Sequence, residues 1–147
     1  MAQYPHMTGN TLEELSCLCA EWQADLRLND WEVILKLVMP HEMGPERSGE
    51  CSWVICKKRA KISILDSQYW GGSSGSWVGE DQELTLVHEL LHLHYAPFDN
   101  FKCDTPEDTA LEQSIHCISQ ALVALKRAKL AFTDPRYLPP DPNELPF

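Results

Sequence analysis

The segment Thr85–Tyr95 reads TLVHELLHLHY and carries the residues with the clearest chemical potential in the chain. On a helix His88 and His92 stand four apart, so both imidazoles project from one face and can reach one ion. Glu89 sits ~100° around the same helix, close enough to address a water on that ion without being a ligand. This His-Glu-x-x-His spacing is a zinc pattern. Zinc suits two neutral imidazoles plus a carboxylate, and such a set leaves a fourth position for water. The flanking residues are apolar, and burying two histidines and a glutamate there without a partner is costly. Metal binding therefore outweighs the reading of His88 and His92 as ordinary core histidines. His94 lies well around the helix from both and falls outside the set.

Two imidazoles seldom hold a catalytic zinc alone, so a third ligand is expected. Glu112 and His116, again four apart, lie on a stripe beside the apolar face of a later helix. Glu112 follows His92 by twenty positions, room for a loop and a return pass. Glu112 is the preferred third ligand and His116 the alternative. Leu111 and Ile115 flank Glu112, so its face should be at least half buried.

Other elements must position these groups. Thr11–Leu28 has helical periodicity, with Leu12, Leu15, Leu18, Cys19, Trp22 and Leu26 on one stripe. Trp31–Met39, Glu50–Ile55 and Ala60–Leu65 read as strands, and Pro40–Gly49 as a loop. Gly71–Gly79 holds four glycines and three serines, the composition of a mobile loop and a candidate flap. The histidine helix should run from about Asp81 to Tyr95, acidic at its start and stopped by Pro97. It is apolar on most faces, which predicts a central buried helix. Thr105-Pro106-Glu107-Asp108 is a strong helix start. The helix that follows should reach about Ala131 with Leu111, Ile115, Ile118, Leu122 and Leu125 as its apolar stripe. Together these predict an α+β domain: an N-terminal helix, a small three-stranded, mostly antiparallel sheet, then two packed helices. Residues 1–132 form one domain and 133–147 a proline-rich extended tail, residues 135–147 holding five of the ten prolines.

Composition narrows the function. The 147 residues are 44% hydrophobic and 23% charged, as in an ordinary globule. Twelve Lys and Arg against twenty-two Asp and Glu give a formal charge of −10, which opposes nucleic-acid binding through phosphates. The dense basic run Cys56–Lys61 reads as a solvated turn and strand edge. Met1–Asn10 lacks the pattern of a secretory signal, and no stretch has the ~20 apolar residues of a membrane helix. A cytoplasmic protein with no membrane partner is expected. The six cysteines are poorly spaced for a second zinc site and read mostly as buried free thiols.

HELLH at 88–92 with Glu112 twenty residues beyond resembles the gluzincin metallopeptidases, and the small size is similar to phage- or prophage-borne metallopeptidase-like proteins. The resemblance covers about residues 31–130 and is specific in the two helices. It implies a zincin-like fold with one zinc on His88, His92 and Glu112. It implies an endopeptidase in which Glu89 is the general base for a zinc-bound water, acting on a peptide or protein substrate. The family often carries an aspartate four residues after its ligand glutamate; this chain has His116, which could instead assist the oxyanion. The family also pairs extended substrate with a strand edge beside the site. Ala60–Leu65 is the matching strand here, with Ile62, Ser63 and Ile64 as substrate-binding residues. Two other readings stand beside the peptidase. One is a regulatory zinc-binding protein of the same fold that cleaves nothing, or a single partner. The other is a DNA-associated protease of the SprT-like kind, opposed by the charge and by the lack of a C-terminal cysteine ribbon.

Overall fold

The computed structural model describes residues 9–44, 47–70 and 81–134. The glycine- and serine-rich segment and the proline-rich tail therefore lie outside the described residues, except for Thr133 and Asp134. Helix α1 spans Leu12–Asp25. Thr11 starts it through a reciprocal cap: its hydroxyl accepts from the Glu14 N–H, and Glu14 accepts from the Thr11 N–H. Strands β1 (Glu32–Val38), β2 (Gly49–Val54) and β3 (Arg59–Leu65) follow. Helix α2 then covers Gln82–Tyr95, capped by the Asp81 side chain on the Leu84 N–H, and α3 covers Pro106–Ala131, capped by Thr105.

The fold is α+β, but its sheet is mixed and not mostly antiparallel. The strand order is β1-β3-β2, with β1 parallel and β2 antiparallel to β3. Alternation of apolar residues establishes that three strands exist and leaves their order open. Burial accounts for the order found. Ile62 and Ile64 of β3 are fully buried, and the central place gives this most buried strand a neighbour on each side. Strands β1 and β2 alternate half-buried and exposed residues, as suits edges. Across the core face the register aligns Leu37, Ile64 and Gly49, then Leu35, Ile62 and Cys51, then Val33, Ala60 and Trp53.

Helices α1 and α2 pack on this face, and α3 runs antiparallel to α2. Leu86, Val87, Leu90, Leu91 and Leu93 bury α2 on nearly all sides, joining Leu15 and Trp22 of α1 and Ile115 of α3 in one core. The predicted stripe of α3 holds at Leu111, Ile115 and Leu122, which pack in or against the core, and fails at its other two positions. Ile115, Ser119 and Val123 face inward, whereas Ile118 and Leu125 are exposed. The inward residues follow four-residue spacing in register with Leu111, so the polar Ser119 lies buried between two apolar residues. The cysteines also depart from expectation: only Cys19 is buried, Cys51 is half-buried, and Cys17, Cys56, Cys103 and Cys117 are exposed, all free.

Two of the four cations in the run at 56–61 are paired, Lys58 with Asp30 and Arg59 with Glu32. No helix among the described residues is long and apolar enough to cross a membrane.

Candidate metal centre

Helix periodicity places His88 and His92 together on α2, and the antiparallel return of the chain brings Glu112 of α3 against both. Glu112 Oε2 lies 3.2 Å from His88 Nε2, and Oε1 lies 3.2 Å from His92 Nε2. The three candidate donor atoms lie within 4.8 Å of one another. Ligands at ~2.0–2.1 Å from a tetrahedral ion are ~3.3 Å apart. Each imidazole lies near that distance from one carboxylate oxygen, Oε2 for His88 and Oε1 for His92, so with small adjustment the donor set is compatible with a metal ion. His94 is exposed and takes no part in the group.

His92 is held from behind as well. Its Nδ1 lies 3.4 Å from Asp99 Oδ2, and both side chains are largely buried. Trp53 of β2 stacks along the same ring, with centroids 6.4 Å apart and planes 22° from parallel. Asp99 comes from the loop after α2. There the backbone N–H groups of Phe98 and Asp99 both donate to the Tyr95 carbonyl at 2.8 Å and turn the chain back towards the helix. A carboxylate on the far nitrogen of a metal-binding imidazole fixes the tautomer that leaves the near nitrogen free. The chain thus supplies from this loop the carboxylate that the sequence pattern lacks at position 116.

The centre lies in a cleft of about 680 Å³ walled by β2, α2, the α2–α3 loop and α3. Glu89 lines it, only 7% exposed and outside the donor set. Burial pushes the Glu89 carboxyl up from its ordinary value, although His88 and His92 oppose the shift. His116 is exposed and lines the cleft, its ring centroid 6.3 Å from that of His88. Hydrogen bonds with His88 and His92 hold Glu112 well below the usual carboxylate range. Burial works against charge on His92, but the Glu112 hydrogen bond and the Glu89 charge outweigh it and raise the pKa. Cys51 faces the same cleft; burial, with Glu89 and Asp99 adding to it, pushes its thiol far up and keeps it neutral.

Two sequence-based assignments separate here. His88, His92, Glu89, Glu112 and His116 converge on one cleft. Ile62, Ser63 and Ile64 do not. They are buried in the central strand, with backbone paired on both sides, and cannot offer an edge to a peptide. The strand beside the centre is β2, whose Gly49, Glu50, Cys51 and Trp53 form one wall of the cleft.

The far end of the helix pair is fixed by charge. Arg127 binds Asp81 through both terminal nitrogens, at 2.7 and 3.0 Å, and reaches Glu83 at 3.3 Å. Trp22 Nε1 donates to Glu83 at 2.8 Å, and Lys126 pairs with the same carboxylate while lying over the Trp22 ring. This network ties α1, the start of α2 and the later half of α3 together.

Comparison with protein-family models, with curated proteins and with solved structures gives no match in any of the three.

Proposed function

We propose that this chain is a zinc-dependent metallopeptidase of zincin-like fold, with His88, His92 and Glu112 holding one zinc and Glu89 acting as general base. The observation that carries the reading is the buried Glu89 carboxylate, which shares a cleft with the three donors and is not one of them. A purely structural metal needs no such group. Two imidazoles and a carboxylate favour zinc among the common divalent ions.

When bound, the metal supplies a Lewis acid that lowers the pKa of water towards ~7 and polarises a carbonyl. The remaining work belongs to the chain. Glu89 takes a proton from the attacking water as its oxygen bonds to the peptide carbon. Glu89 then gives that proton to the leaving amine as the carbon–nitrogen bond breaks. Burial favours this exchange by raising the proton affinity of Glu89. His116 would donate to the oxygen that gains negative charge. Asp99 holds His92 in the required tautomer. The edge strand β2 replaces β3 as the candidate for pairing with an extended peptide, because its outer backbone has no strand partner among the described residues.

The test combines metal content with activity on a mixed peptide library. Wild type should retain about one zinc per chain and cleave peptides. Glu89→Gln should keep the zinc and lose hydrolysis by ~10²–10⁴-fold. Equal activity in both proteins would refute the mechanism. Zinc without any hydrolysis in the wild type would favour a regulatory zinc protein of this fold.

A further inference from the structure

Gly49 occupies an unusual place in the sheet. It stands on the core face at the end of the row that holds Leu37 and Ile64, where a β-strand ordinarily carries a bulky apolar residue. A Cβ at Gly49 would fall 2.5 Å from Thr85 Cγ2, 3.1 Å from Glu89 Oε1 and 3.2 Å from Glu89 Cγ. Thr85 and Glu89 are one helical turn apart on α2 and form the stripe on which β2 rests. The adjoining Ser48 hydroxyl lies 3.4 Å from that of Thr85 and marks the same line of contact. Backbone therefore fills the space beside the Glu89 side chain, and any other residue at position 49 would contest it.

We propose that Gly49 is a positioning residue for Glu89: its bare backbone lets the edge strand close against the Glu89 side chain and hold the carboxylate towards the metal donors. The inference rests on the function proposed above, and adds that the glutamate is located by the strand as well as by its own helix. Two of the three close contacts of a Cβ here are with Glu89, and none is with His88, His92 or Glu112. An added methyl should displace the base and leave the metal ligands in place. A simpler role is also conceivable, in which the glycine only makes room for the Thr85 methyl. Removing that methyl separates the two.

The experiment uses the full chain as wild type, Glu89→Gln, Gly49→Ala, Thr85→Ser and the double variant Gly49→Ala/Thr85→Ser. Zinc affinity is measured first, by competition with a chromogenic chelator. Calorimetry then gives the affinity of each zinc-loaded protein for acetohydroxamic acid, a probe that binds zinc and hydrogen-bonds to a carboxylate beside it. Thermal melting reports folding, and the double variant relieves the tightest clash should Gly49→Ala prove unstable. Zinc affinity should stay near wild type in every variant. Gly49→Ala, and the double variant relative to Thr85→Ser, should each lose about threefold to tenfold in probe affinity. Contacts of 3.1 and 3.2 Å ask Glu89 to give way by less than the ~1 Å misplacement that costs about a hundredfold. Glu89→Gln sets the limit of the effect. Probe affinity in the double variant equal to that of Thr85→Ser would overturn the proposal, since Gly49 would then serve only the Thr85 packing. Loss of zinc in Gly49→Ala would also overturn it, by moving the role to the ligands. A wild type that binds no zinc fails before the probe is added, and that result removes the metal-centre reading itself.

Discussion

Asp99 and Glu112 grip opposite nitrogens of one imidazole: Asp99 Oδ2 lies 3.4 Å from His92 Nδ1, and Glu112 Oε1 lies 3.2 Å from His92 Nε2. The ring is thereby fixed in rotation as well as in place, with Trp53 stacked along its face. A ring held in this way would need little reordering on binding the proposed metal. Asp99→Ala should lower zinc affinity by about 10–100-fold, the usual cost of losing such a carboxylate. Chelator competition measures it, and unchanged affinity would remove Asp99 from the centre.

Glu112 and His116 make different predictions. Glu112→Ala deletes a donor that faces both histidines, so the purified protein should lose most of its zinc. His116→Ala should retain it, because the His116 ring approaches His88 without joining the donor group. Elemental analysis of the two variants decides. Full occupancy in Glu112→Ala would move the third ligand elsewhere.

The Glu83 network predicts a pH dependence of stability. Burial tends to raise the Glu83 pKa, but hydrogen bonds from Lys126 and Trp22 and the charge of Arg127 outweigh it, so the folded value lies below the ordinary one. The contribution of the Glu83 charge is therefore complete above the unfolded pKa of ~4.3 and is lost as pH falls through the lower folded value. Glu83→Gln should cost about 3 kcal/mol near pH 7, towards the low end for breaking a buried ion pair. The gap to wild type should close as the solution is acidified below pH ~4. Urea denaturation at several pH values tests it; a gap that widens in acid would contradict the assignment.

The inward face of α3 can be tested by truncation. Ile115 is fully buried and Leu125 is 68% exposed. Ile115→Ala should destabilise the fold by about 2–5 kcal/mol, whereas Leu125→Ala should stay within ~0.5 kcal/mol. Similar costs for both would restore the stripe expected from the sequence.

The pairing of His88 with His92 was legible because helical spacing is a short-range rule: positions four apart share a face whatever surrounds them. Glu112 required one further step, the antiparallel return of a helix whose start Thr105 and Pro106 announce. Helix starts were clear for the same reason, since Thr11, Asp81 and Thr105 each cap the helix that follows. Strand order was hidden because it depends on which strands find two neighbours, a property of the whole sheet. The candidate for a substrate edge thus shifts from the central β3 to the outer β2. Asp99 was hidden because a loop has no period; its role rests on a backbone turn at Tyr95 that composition does not encode. On α3 the apolar residues Ile118 and Leu125 outweighed Ser119 in a reading by hydrophobicity. Packing against the polar side of the centre reversed that order.

The clamp at Arg127 has a mechanical consequence. Glu112 lies fifteen residues before Arg127 on the same helix, a separation of ~22 Å at 1.5 Å per residue. Helix α3 therefore carries the proposed ligand towards one end and its ion pairs towards the other. A tilt of ~3° about the Arg127 end would carry Glu112 through ~1 Å over that length, several times the ~0.2 Å tolerance of a metal–ligand bond. The ion pairs of Arg127 with Asp81 and Glu83, remote from the candidate donors, would thus help to hold the Glu112 carboxylate in place.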